Sequence, residues 1–351
     1  MNAPDRAALR LTQFSHGGGC GCKIAPAPLQ DLLARAAPGI IPADLLVGVE
    51  TADDAAVYRI NASQAIVATT DFFMPIVDDA FDFGAIAATN ALSDIYAMGA
   101  TPLFALALVG MPIDKLPVET MRSVLQGGEA ICAKAGIPIA GGHTIDSVEP
   151  IYGLAAIGLV DPRQLKRNAG ARVGDALILG KPLGVGVYSA ALKKGRLEGE
   201  RYATMLASTT QLNTPGVALG RIDGVHALTD VTGFGLLGHL LEICRASRLG
   251  ARIAFERLPL HPGVLELARA GCITGASARN WASYGEEVAL SAEIDELRRA
   301  LLTDPQTSGG LLAACAPDAV ESVLATFRDE GFARASVIGQ CMAGPARVSV
   351  S

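Results

Sequence analysis

AIVATTDFFMPIVDDAFDFGAIAATNALSDIYAMGATPLFALALVG, residues 65–110, is the stretch from which the fold is read. Ala65–Thr70 is a short apolar, β-branched run ending at Asp71, the pattern of a buried strand with a carboxylate at its C-terminal end. From Phe83 to Met98 the spacing turns helical and stops at Gly99, a residue suited to the position after a helix. Thr101–Gly110 reads as a strand again. Beyond it, Pro117–Ala135 predicts a helix that stops at Gly136. Ile137–Ala140 predicts a strand opening into a Gly141-Gly142-His143-Thr144 turn, and Tyr152–Val160 a further strand. Strand and helix alternate, so the expected class is α/β or α+β with a mixed sheet.

The chain has 351 residues, enough for two domains of roughly 100–200 residues each. Residues 161–175 (DPRQLKRNAGARVGD) concentrate charge, Gly and Pro and interrupt the apolar periodicity, as a linker does. The expected division is therefore a flexible Gly-rich segment at 1–45, a first domain at 46–160, that linker, and a second domain at 176–351. In the second domain a strand is expected at Ala176–Gly180 and helices through Leu192 and around Arg201–Leu219. A strand follows at His226–Thr229, then a glycine turn at 232–238 entering a helix to about Ser247, and a tight turn at 304–312 feeding a last strand. With 50% hydrophobic residues, 5% aromatics and 39 glycines, the composition favours a tightly packed core of small aliphatics. A net charge of −6 argues against a nucleic-acid surface, and means that a polyphosphate ligand would have to arrive with metal ions. The longest apolar runs, near 103–113 and 151–160, fall well short of the roughly 20 residues of a membrane span, and the N-terminus lacks the apolar stretch of a secretion signal. Seven scattered cysteines form no disulfide framework, so the expected place is a reducing cytoplasm.

Two sets of residues carry chemistry. Ser15–Lys23 (SHGGGCGCK) places two thiols and an amine in backbone too glycine-rich to be core, and a Lys three residues from Cys20 can stabilise a reactive thiolate. The same stretch also reads as a disordered leader or half of a metal knuckle. The second set is acidic: Asp53, Asp54, Asp71, Asp94 and Asp230 each stand where an apolar element meets a turn. Magnesium takes oxygen ligands and is usually held by one or two carboxylates with substrate phosphates, so these could converge on a chelated nucleotide. Asn90 and Asp94 are four apart and share a helix face. Each Asp taken alone also reads as a cap or a turn residue. Gly233–Gly238 (GFGLLG) satisfies G-x-G-x-x-G with Glu256 downstream, but Asp230 just before it would repel a bare pyrophosphate.

Taken together, SHGGGCGCKIAP, ETADDAAVY, TTDFFMPIVDDAFDFGAIAATNALSDIYAMGATP, AGGHTID, TDVTGFGLLGH, RNWASYG and DPQTSGGLL closely resemble the selenophosphate synthetase (selenide, water dikinase) family over about residues 11–339. The resemblance implies an aminoimidazole ribonucleotide synthetase-like fold, with an N-terminal sheet that dimerises and a C-terminal α/β sandwich. It implies conversion of ATP, selenide and water into selenophosphate, AMP and orthophosphate, activating selenium for selenocysteine and seleno-tRNA. Cys20 and Lys23 match the family's catalytic residues. Asp54, Asp94 and Asp230 match its magnesium ligands, while Lys23, Thr51, Ala52, Asp53, Asp71 and Asp94 match nucleotide contacts. Gly142, His143 and Thr144 match contacts reaching a partner subunit's ATP in a homodimer, and a selenium-delivery protein is a possible further partner. Ala52 departs from the basic residue expected there, and Cys22 matches no assigned role. A kinase or ligase on the same fold would lack the Gly-Cys-Gly-Cys-Lys segment; a soft-metal or redox module would lack the aspartates.

Overall fold

A computed structural model of the chain describes residues 9–34, 41–48 and 52–351. Thirteen strands lie among them, in two sheets. The first sheet contains β1 (Leu45–Val47), β2 (Ala56–Asn61), β3 (Gln64–Phe73), β4 (Thr101–Met111), β5 (Ile139–Asp146) and β6 (Ile151–Val160), in the order β1-β2-β3-β6-β4-β5. Only β4 and β5 pair parallel in it. The second contains β7 (Ala176–Leu179), β8 (Val225–Asp230), β9 (Gly250–Ile253), β10 (Val288–Leu290), β11 (Leu311–Cys315), β12 (Ser336–Met342) and β13 (Val348–Val350). Their order is β10-β13-β9-β12-β7-β11-β8, again mixed, so the expected α/β class holds in both halves.

The helix Ala80–Ala97 begins where Asp79 accepts a hydrogen bond from the Asp82 amide at 2.9 Å. It packs on β3 and β6 and against the helix Val118–Lys134. The two helices interlock through glycines: a Cβ on Gly84 would stand 1.9 Å from the Val124 carbonyl oxygen, and one on Gly127 2.0 Å from that of Phe81. Period-2 alternation then sorts the sheet's residues. Cross-strand register links Phe72 to Gly153, Gly153 to Leu108 and Leu108 to His143, on the face away from the helices. Phe72, Leu106 and Ile145 remain exposed there.

The expected turn at Gly141–Thr144 is instead the middle of β5, because β4 offers it a parallel partner from Ile139 to Asp146. The glycine run Gly233–Gly238 does follow strand β8 and lead into the helix Gly235–Ser247. Yet β8 pairs antiparallel with β11, so there is no parallel βαβ crossover, and Glu256 is bound by Arg298 at 3.0 Å. That removes the dinucleotide reading. The charged stretch 161–175 carries Asn168, which is fully buried between the two halves.

Candidate functional site

Strand and helix periodicity together build the site. Thr69 and Asp71 are two apart on β3 and point to the helix; Asn90 and Asp94 are four apart on the facing helix. Both spacings are about 6–7 Å, so the pairs meet: Thr69 Oγ1 donates to Asp94 Oδ2 at 2.5 Å, and Asn90 Nδ2 to Asp71 Oδ2 at 2.7 Å. Asp230 arrives at the C-terminal end of β8 and Asp54 from the loop before β2. One oxygen from each of Asp54, Asp94 and Asp230 lies within 4.8 Å of the others. Thr229 Oγ1 donates to Asp54 Oδ1 at 2.8 Å, whereas Asp54 Oδ2 and Asp230 Oδ2 are buried without a partner. Burial first, and then the neighbouring carboxylates, push Asp54 and Asp94 well above the usual carboxylate range. Burial likewise raises Asp230, against a hydrogen bond from Ser93. Three crowded carboxylates with orphaned oxygens are a donor set that fits a hard divalent cation.

The N-terminal segment docks on this cluster. Cys20 is not outside the core as expected but 1% exposed, in a short 3₁₀ turn at Gly19–Cys22. Its amide donates to Thr307 Oγ1 at 3.0 Å and its thiol to Asn90 Oδ1 at 3.1 Å. Gly19 permits the approach, with φ +54° and no room for a Cβ beside Thr307. Lys23 donates to Asp71 Oδ2 at 2.9 Å; its side chain is 36% exposed while Asp71 is 5% exposed. Burial works against the Lys23 charge, but the Asp71 carboxylate prevails and holds it well above the ordinary lysine range. Burial pushes the Cys20 thiol far up, outweighing the help of Lys23, which favours the thiol over a thiolate in this structure.

Other expected residues fall apart from this centre. Ala52 adopts φ +50° and its carbonyl accepts from Asn168 Nδ2 at 2.8 Å, while Asp53 Oδ1 accepts the Asn168 amide at 2.6 Å. Thr51 lies outside the described residues. Gly142, His143 and Thr144 stand exposed on edge strand β5, and no hydrogen bond among the described residues ties them to the aspartates.

Sequence reading missed the turn Thr307–Ser308 as part of the site. Ser308 takes φ +53°, and its amide donates to Asn90 Oδ1 at 2.7 Å. Behind it, fully buried Lys181 donates to the Ser308 carbonyl at 2.9 Å and that of Gln211 at 2.7 Å; burial lowers its pKa to about 7. The signal was the polar run 304–308, too polar for its buried setting unless each group has a partner.

Comparison with known proteins agrees with this architecture. The family described as AIR synthase related protein, N-terminal domain, matches residues 52–160, and its C-terminal domain matches residues 172–350. The chain therefore belongs to the AIR synthase related proteins. Selenide, water dikinase from Burkholderia pseudomallei (strain K96243) is 67% identical over 347 residues, covering 99% of this chain and 98% of that protein. That from Rhizobium meliloti (strain 1021) is 55% identical, covering 98% of each. Within its class the chain belongs to the selenide, water dikinase family. Among solved structures, a thiamine-monophosphate kinase from Stenotrophomonas maltophilia K279a shares the fold, with a TM-score of 0.63, 24% identity, and 88% and 92% of the two chains covered. So does hydrogenase maturation protein HypE in complex with ATP, with a TM-score of 0.62, 19% identity, and 84% and 83% covered.

Proposed function

We propose that this chain makes selenophosphate from selenide, ATP and water, releasing AMP and orthophosphate, and that it does so at the Cys20–Asp230 centre. One observation carries this reading: a buried thiol and an ammonium, joined through Asn90 and Asp71, stand beside three converging carboxylates. A kinase of the same fold needs no Cys20, and a redox module needs no aspartates.

Asp54, Asp94 and Asp230 would hold Mg2+, which when bound neutralises phosphate charge and polarises the phosphoryl oxygens. Two phosphoanhydride bonds break in the reaction, and negative charge develops on several oxygens. Lys23, fixed by Asp71, supplies a positive charge for it that needs no reorganisation. Asn90 orients two groups at once: its amide nitrogen holds Asp71, and its oxygen holds the Cys20 thiol. Cys20 then presents sulfur where a selenide nucleophile is received. The Gly19–Lys23 segment covers the centre and excludes water from a selenium species that is easily oxidised. Ala52 is left with backbone contacts to the nucleotide, and the neighbouring Asp53 carboxylate accepts the Asn168 amide.

The apolar outer face of the first sheet supports a homodimer, with Gly142–Thr144 near the partner's nucleotide. No described helix is long and apolar enough to cross a membrane, and a cytoplasmic enzyme supplied by a selenium-delivery protein agrees with the reaction. The test is anaerobic incubation with ATP, magnesium and selenide. A selenium-coupled phosphorus signal appearing with AMP supports the reading; AMP without that signal, or no turnover, overturns it.

A further inference from the structure

Beside the Cys20 turn lies an open cleft of about 370 Å³, lined by none of the aspartates, that the mechanism above does not use. Gly18 and Gly21, which bracket Gly19-Cys20, form one wall, and Thr307 forms part of the floor. Lys193, Lys194 and Arg279 line it, and no carboxylate does. Among the described residues each cation is held only by a carbonyl: Lys193 donates to Gly17 at 2.9 Å, Lys194 to Gly271 at 2.7 Å and Arg279 to Gly21 at 3.0 Å. A carbonyl satisfies a hydrogen-bond donor but cancels no charge, so the cleft keeps a positive potential in a chain whose net charge is −6. At the rim, Glu149 is engaged by the His16 ring at 2.9 Å.

The turn that carries Cys20 thus borders two fields of opposite sign. Three carboxylates on one side repel a free anion and attract a metal-bound nucleotide. Three cations on the other attract a small anion and repel metal. We infer that the Lys193–Lys194–Arg279 cleft is the port through which the hydroselenide anion reaches Cys20, separate from the nucleotide side. The inference rests on the function proposed above. Orthophosphate, the other small anion of the reaction, shares the recognition chemistry, but the cleft's wall is the cysteine segment and not the carboxylate cluster where phosphate is released. The cleft is wider than one hydroselenide ion, which suits passage and not storage.

The experiment is anaerobic steady-state kinetics with sodium hydroselenide as varied substrate, on the parent and on Lys193→Gln/Lys194→Gln/Arg279→Gln. Loss of electrostatic attraction predicts a KM for selenide raised about tenfold, with KM for ATP kept. Because Lys193 and Arg279 also hold the Cys20 segment, Lys194→Gln alone is the cleaner variant: it touches only Gly271, and a rise of about threefold is expected. In the parent, added potassium chloride should raise KM for selenide, and in the triple variant this salt dependence should vanish, which a merely structural defect would not produce. Unchanged KM for selenide in both variants, with an active parent, overturns the port alone. Loss of orthophosphate product inhibition without a change in selenide KM makes the cleft a phosphate exit and overturns it too. A parent that makes no selenophosphate overturns the proposed function and this inference with it.

Discussion

Asp230 illustrates how a single side chain in this protein is set for binding at a cost to the empty fold. Its Oδ2 is buried without a partner beside two further carboxylates, a placement that destabilises the protein until a cation arrives. Asp230→Asn should therefore raise the melting temperature measured in EDTA. The same change should abolish the upward shift that magnesium gives the parent, about 2.7 kcal/mol at a hundredfold excess over Kd. A variant that melts lower in EDTA, or keeps its magnesium shift, refutes the metal assignment. The two cysteines of the N-terminal segment should separate as sharply. Cys20→Ser removes the sulfur held at Asn90 and should abolish selenophosphate formation, with the magnesium shift preserved. Cys22 is half-buried with no hydrogen bond to the centre, so Cys22→Ser should keep most activity. Equal loss in both would favour a paired-thiol site.

Helices and turns place these residues, and two of them expose the physics. The helix Ala80–Ala97 carries Asn90 and Asp94 to β3 only because it lies flat against the helix Val118–Lys134, where Gly127 meets the Phe81 carbonyl. Gly127→Ala should lower stability by about 3 kcal/mol and reduce turnover, since the helix must move off the sheet; denaturant melts of parent and variant measure it. The second case is Asp304, whose Oδ2 accepts the Val187 amide at the start of the helix Val185–Lys193 at 3.2 Å. Burial raises its pKa to about 7 despite that bond and one from Gln306. The unfolded chain gives up this proton near pH 4 while the folded chain keeps it to about 7, so the folded state binds more protons in that window. Stability must then fall as pH rises from about 4 to 7 and level off above. Asp304→Asn does not titrate, and its urea midpoint should lose this part of the pH slope. An unaltered slope would contradict the buried-carboxyl account.

At the scale of the whole molecule, the first sheet is covered by helices on one face only. Phe72, Leu106 and Ile145 are 50%, 37% and 56% exposed on the other, apolar surface of the kind that marks an interaction site. The expected particle is a homodimer joined through this face. Phe72→Glu should give a monomeric mass in sedimentation and lose activity, because His143 stands in the same cross-strand row. A parent that sediments as a monomer would exclude the shared site.

Much of this was legible from one dimension. The strand ending at Asp71 and the helix over 83–98 followed from periodicity, and Asn90 and Asp94 sharing a face followed from the four-residue spacing; β3 runs to Phe73 and the helix starts three residues earlier, at Ala80. Periodicity is local, and local spacing decides which side chains leave an element together. The long motifs, read jointly, identified the family and its two-part fold. Tertiary structure alone decided the rest. Gly141–Thr144 became a strand because β4 lay beside it, a long-range pairing that glycine propensity does not report. Ser308 and Lys181 entered the site because packing brought their backbone and ammonium to Asn90 and to each other. The state of Cys20 was decided in the same way: Lys23, close in sequence, can stabilise a thiolate, but desolvation depends on every element closing over the sulfur, and it outweighs one neighbouring charge.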